Sequence, residues 1–182
     1  MNFEICSLTE ENLADAPEWS GRPSSCKYCL YWEYPEECVD PATERKQELL
    51  GKKLAWLRRA RQGFGNCGKL LYADGKPVGY AQYAPPGLLP NSVGYDSGPP
   101  GDDAVLISCL FIAQEQYRGT GLGNQLLRSI IDDLRTREIR AVETFARKGD
   151  PQNPSGPVEF YLRNGFRILT DDKEFPLMRL EL

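Results

Sequence analysis

The chain has 182 residues, 41% hydrophobic and 26% charged, an ordinary globular balance and enough length to bury one core. A formal charge of -4 lacks the basic footprint of a nucleic-acid binder, and no apolar run approaches the ~18 residues of a membrane span. Histidine is absent, which excludes Ser-His-Asp and Cys-His catalysis and removes both the commonest zinc ligand and the usual general base.

The chain starts Met1-Asn2-Phe3-Glu4, without the charged-then-apolar pattern of a signal peptide. A cytoplasmic location is therefore expected, with six reduced cysteines. Phe3 to Leu8 reads as a first strand, and Thr9-Glu10-Glu11 opens like a helix cap, predicting a short helix toward Trp19. Residues 20–40 read as irregular, with Cys26, Cys29 and Cys38 among aromatics. Asp40-Pro41 then offers an N-cap with proline at the first helical position. Leu50, Leu54 and Leu57 line one face of a predicted helix that Gly63 and Gly65 stop.

Lys69 to Ala73 and Val78 to Tyr83 flank Asp74-Gly75, a strong hairpin signal. A Pro/Gly-rich loop from Pro85 to Asp102 follows, too long to be idle filler. Ala104 to Ile112 is apolar throughout and reads as a central strand. Leu122, Leu126, Leu127, Ile130, Ile131 and Leu134 keep the helical period. Ala141 to Arg147 reads as a strand, Gly149 to Pro157 as a loop, and Val158 to Asn164 as a short helix closed by Gly165. Phe166 to Thr170 and Phe175 to Leu182 are the last strands. The predicted fold class is α/β (α+β): one domain over residues 1–182, with a mixed, mostly antiparallel sheet of six to seven strands and helices on both faces.

Arg118-Gly119-Thr120-Gly121-Leu122-Gly123 falls between the buried strand and the strongest helix. Glycines there let backbone N–H groups turn toward an anion, and the helix N-terminus adds partial positive charge, so a pyrophosphate is the natural ligand. A Walker loop would need Gly-Lys-Ser/Thr where Gly123-Asn124-Gln125 stands. A dinucleotide-binding fold would place the turn after the first strand of a βαβ repeat rather than after a hairpin.

At Arg118-x-x-Gly121-x-Gly123, preceded by Gln116-Tyr117, the sequence resembles the GNAT superfamily of N-acetyltransferases. Phe160-Tyr161-Leu162-Arg163-Asn164-Gly165-Phe166 resembles that family's Tyr-x-x-x-Gly-Phe helix end. The match is good over residues 69–182, the expected core for coenzyme A, while residues 1–68 match in element order only and form a variable acceptor side. The resemblance implies a splayed sheet with acetyl-CoA between the fourth and fifth strands, its pyrophosphate on the amides of Gly119 to Gly123 and its pantetheine on the backbone of Leu110, Phe111 and Ile112. Asn153 is the nearest match to an Asn often found after the fifth strand. The segment from Ile112 to Arg118 is one residue longer than the family's spacing.

Such an enzyme would acetylate a primary amine, whether a small molecule or a peptide, by direct attack and without a metal. An alkylamine has a pKa near about 10.4, so freeing its lone pair at neutral pH costs roughly 4–5 kcal/mol. Without histidine the base is Glu, Asp, Tyr or water. Glu143 is the candidate, on a strand expected to be buried, against the alternative of a salt bridge to Arg140, Arg147 or another basic residue. Tyr161 is the candidate acid for the departing thiolate, against the alternative of packing or cofactor binding. Cys109 reads as a core thiol rather than a nucleophile. Cys26-x-x-Cys29 with Cys38 and Cys67 or Cys6 is a weak zinc pattern. A non-catalytic acyl-CoA-binding module is the rival function, a zinc-stapled interaction domain a third, and homodimer formation is compatible with each.

Overall fold

The computed structural model describes residues 2–18, 25–37 and 45–182. Its frame is a seven-stranded sheet in the order β1-β2-β3-β4-β5-β7-β6. β1 (Phe3–Ser7) pairs antiparallel with β2 (Gly68–Ala73), and β2 with β3 (Lys76–Ala84). The β2–β3 turn puts Asp74 at φ 48° and Gly75 at φ 77°, the paired left-handed conformations that an Asp-Gly hairpin turn adopts. β4 (Ala104–Ile112) is buried along its whole length, as its unbroken apolar sequence requires.

The Thr9 cap does not start a regular helix. The Asn12 side chain accepts from Thr9 N at 2.7 Å and donates to the Ser7 carbonyl at 2.9 Å, and a 3-10 turn over Leu13–Asp15 results. A short polar side chain here offers the backbone an alternative to the helix. The Asp40-Pro41 cap and Cys38 lie outside the described residues. Helix α1 (Lys46–Gly63) follows; its buried face is Leu49, Lys53, Trp56, Leu57 and Ala60, one residue round from the predicted stripe, with Leu50 and Leu54 half-buried. The face turned because Trp56 and Lys53 both have partners inside: Trp56 Nε1 donates to the Leu88 carbonyl at 2.8 Å, and Lys53 joins a buried polar cluster.

β4 is the hinge of the architecture. It pairs antiparallel with β3 and parallel with β5 (Ala141–Phe145), but the β5 register runs only from Ala104↔Ala141 to Leu106↔Glu143. On the β3 side Gln82 faces Cys109 while Tyr83 faces Ile107, so Ser108 is the extra residue of a β-bulge. Beyond the bulge β4 and β5 diverge. Helix α2 (Leu122–Thr136) and helix α3 (Val158–Arg163) cover one face, where Leu126, Leu127, Ile130 and Tyr161 pack on Ile107, Leu110 and Val142. α1 and the segment 25–37 cover the other, where Trp32, Trp56 and Leu57 pack on Tyr80, Cys109 and Phe145. β6 (Arg167–Thr170) and β7 (Leu177–Glu181) complete the sheet.

Candidate active site

β4 runs into the turn that begins α2. The residue that lengthens this segment is taken up by a 3-10 turn at Glu115–Tyr117. Arg118 then folds back, donating from Nε to the Ile112 carbonyl at 3.0 Å and from Nη2 to the Ala113 carbonyl at 3.2 Å, while Thr120 Oγ1 donates to the Tyr117 carbonyl at 2.6 Å. Gly119 and Gly121 sit at φ 73° and 92°, which side chains resist. Gly121 is the N-cap of α2 and supplies no side-chain cap, so the first amides of the helix have no partner within it. A ring of N–H groups at a positive helix end is a seat for a phosphate.

This seat opens into a cleft of about 400 Å³, within the usual size for a small-molecule site. Leu110, Phe111 and Ile112 of β4 line it, and Tyr117, Arg118, Gly119, Gly121 and Gly123 line its end at the glycine turn. Asn153, Pro151, Gly156 and Pro157 of the β5–α3 loop close one side, and Asn124, Phe160 and Arg163 the other. Of the residues expected to hold coenzyme A, the remaining two serve beneath: Thr120 braces the turn and Leu122 packs into the core. Asn153 shapes its loop by accepting from Ser155 N at 3.0 Å. Sequence reasoning missed Phe160 and Arg163, although their i, i+3 spacing on α3 puts them on one helical face.

The sheet's gap is spanned by the same loop. Leu110 N donates to the Pro154 carbonyl at 2.9 Å. Tyr161 lies under the loop, fully buried, with its hydroxyl donating to the Ser155 carbonyl at 2.9 Å. Burial pushes its phenol well above the ordinary range, so it is a held proton.

Glu143 is placed differently from its expected role. It is fully buried, but Arg179 Nη1 donates to one carboxylate oxygen at 2.8 Å and Gly101 N to the other at 2.8 Å. The partner is a basic residue other than Arg140 or Arg147: Arg179 of β7, so the salt-bridge alternative is the one the geometry shows. Glu143 does not line the cleft; it ties the 85–103 loop to β5 and β7, and each of its oxygens already has a donor. The thiol of Cys26 is hydrogen-bonded with Cys109, which together with burial holds it far above the usual thiol range. Among the described residues no group of three or more Cys, Asp or Glu is placed to hold a metal ion.

The sequence profile of the acetyltransferase (GNAT) family matches residues 27–166. The chain belongs to the GNAT acetyltransferase family. Solved structures with the same fold include a PaiA N-acetyltransferase from Thermoplasma acidophilum in complex with coenzyme A, at 16% identity, full coverage of both chains (100% each) and a TM-score of 0.59. Another is an aminoglycoside acetyltransferase in complex with coenzyme A, at 19% identity, covering 99% of this chain and 95% of that one, with a TM-score of 0.60. An N-acetyltransferase from Staphylococcus aureus aligns at 14% identity over 100% and 98% of the two chains, with a TM-score of 0.59. No curated protein matches the chain in sequence.

Proposed function

We propose that the chain is an N-acetyltransferase that binds acetyl-CoA in the β4–α2 cleft and passes its acetyl group to a primary amine by direct attack in a ternary complex. The observation that carries this reading is the uncapped amide ring of Gly119 to Asn124, opening into the same cleft as the splayed end of β4. The pyrophosphate sits on the ring and the pantetheine runs along Leu110 to Ile112 toward the gap. Residues 69–182 form the cofactor half of a single domain, and residues 1–68 contribute the acceptor side.

The amine nitrogen attacks the thioester carbon, the carbonyl oxygen becomes an oxyanion, and the C–S bond then breaks. The nitrogen sheds one proton and the departing thiolate takes one. Tyr161 supplies the second: burial raises its phenol above the ordinary ~10, further from an alkyl thiol's ~8.5, so the transfer is uphill and is favoured only as the thiolate's charge develops in the same desolvated site, which raises the thiol as well.

Binding is tested by thermal unfolding. Acetyl-CoA at 100 times its dissociation constant stabilises the native state by about 2.7 kcal/mol and raises the melting temperature accordingly. An unchanged melting curve at saturation rejects the reading. Protection without any amine-dependent thiol release favours a non-catalytic acyl-CoA-binding module.

A further inference from the structure

Opposite α2, at the back of the β4 bulge, lies a closed polar cluster with one open valence. Glu33 ends the run Cys26-Lys27-Tyr28-Cys29-Leu30-Tyr31-Trp32-Glu33, and its side chain has no solvent exposure. Its Oε1 accepts from Lys53 Nζ and from Gln82 Nε2, the latter at 2.6 Å. Lys53 also donates to Gln82 Oε1 at 3.0 Å, and Tyr80 donates to the same atom at 2.8 Å. Gln82 Nε2 reaches Ser108 Oγ, the bulge residue, at 3.2 Å. Among the described residues no donor reaches the buried Oε2 of Glu33. Leaving such an atom unpaired costs about 1–3 kcal/mol, more for a charged group, so its retention calls for a partner that arrives.

The position supplies one. Gln82 faces Cys109 across β3–β4, and Leu110, the next residue, lines the cofactor cleft. Trp32, beside Glu33, stacks on Tyr95 at 5.5 Å, and Tyr95 stacks on Phe145 at 4.1 Å. Phe145 is the last residue of β5, the far lip of the gap. The Glu33 cluster therefore lies behind the β4 bulge, on the α1 side of the sheet, while the cleft lining at Leu110 follows two residues beyond the bulge.

We propose, on the acetyltransferase reading above, that Glu33 Oε2 receives the N–H of the acceptor amine and takes the proton the nitrogen sheds as the N–C bond forms. Lys53 balances the carboxylate's charge at Oε1 and leaves Oε2 for the substrate. The proton moves from nitrogen to Oε2 while the C–S electron pair leaves with the thiolate.

Thiol release from acetyl-CoA is measured with n-butylamine and phenethylamine as probes, alongside the acetyl-CoA melting shift. Glu33→Gln lowers the amine-dependent rate about 10²-fold while keeping the acetyl-CoA shift. Glu33→Gln/Lys53→Met, which leaves no buried unpaired cation, gives the same result, and Glu33→Asp, which keeps the Lys53 pair but withdraws the oxygen by one methylene, loses about 10-fold. Wild-type rates in a cooperatively melting double variant overturn the proposal. A wild-type protein that shows the acetyl-CoA shift yet releases no thiol with either amine rejects the acetyltransferase reading, and the role of Glu33 falls with it. Absence of the shift in the wild type rejects that reading as well.

Discussion

Tyr161 and Glu143 are both buried polar side chains, and their partners assign them opposite kinds of work. The Tyr161 hydroxyl holds its proton against a loop carbonyl that can release it. Tyr161→Phe keeps the ring in the core and removes only the donor; turnover at saturating acetyl-CoA falls about 10²-fold with affinity little changed, as steady-state kinetics and a binding isotherm will show. A fall in affinity with turnover intact would make it a binding group. Glu143 has both oxygens engaged. Glu143→Gln forces an amide N–H against either Arg179 or Gly101 N, costing about 1–3 kcal/mol in denaturant unfolding. Its effect on turnover is equal at mildly acidic and alkaline pH; a loss concentrated at acidic pH would restore it as a base. The sequence located a carboxylate worth asking about on β5, but which charge faces it depends on β7, which returns to the sheet from far along the chain.

Elements differ in how openly they are written. The hairpin follows from Asp74-Gly75 and α2 from a six-residue apolar stripe that all proves buried, because each is decided by neighbours in sequence. The glycine turn before α2 was legible as a conformation for the same reason: left-handed glycines and an uncapped helix start are local. Gly121→Val tests its proposed role as the anion seat, since φ 92° is strained for a β-branched residue and the side chain blocks approach to the amides. The melting shift with acetyl-CoA should vanish in this variant; a preserved shift would place the anion elsewhere. The rotation of α1 and the Glu33 cluster were not legible. Glu33 sits in a stretch without period, and its partners Lys53 and Gln82 come from two separate elements, with Ser108 of a third reached only through Gln82. Even the bulge shows only as a register shift, which no local pattern announces.

Across the whole molecule, Arg179 gathers Asp103, Glu143 and Glu181, tying the loop before β4 to the last strand. Hydrogen bonds from Arg179 hold the carboxyls of Asp103 and Glu181 below their ordinary values. Their folded values lie below the unfolded ones of about 3.9 and 4.3, so the stability they contribute is complete above that range and is lost as pH falls through the folded values. Acid titration of the melting temperature therefore shows a decline below about pH 4, and Arg179→Met flattens it. An unaltered acid limb in that variant would mean that other carboxylates carry the decline.

The bond between Leu110 N and the Pro154 carbonyl has a consequence for the empty protein. A strand deprived of its neighbour in the middle of a sheet is a template for whatever extended chain comes by. Here the loop's carbonyl covers that open donor with a contact just strong enough to serve and weak enough to trade: an arriving ligand that offers its own acceptor exchanges one hydrogen bond for another at little net cost. On the proposed acetyl-CoA reading the guard over the gap is thus neutral toward its occupant, and discrimination passes to the glycine turn at the far end of the cleft, whose unpartnered amides favour a molecule bearing phosphate.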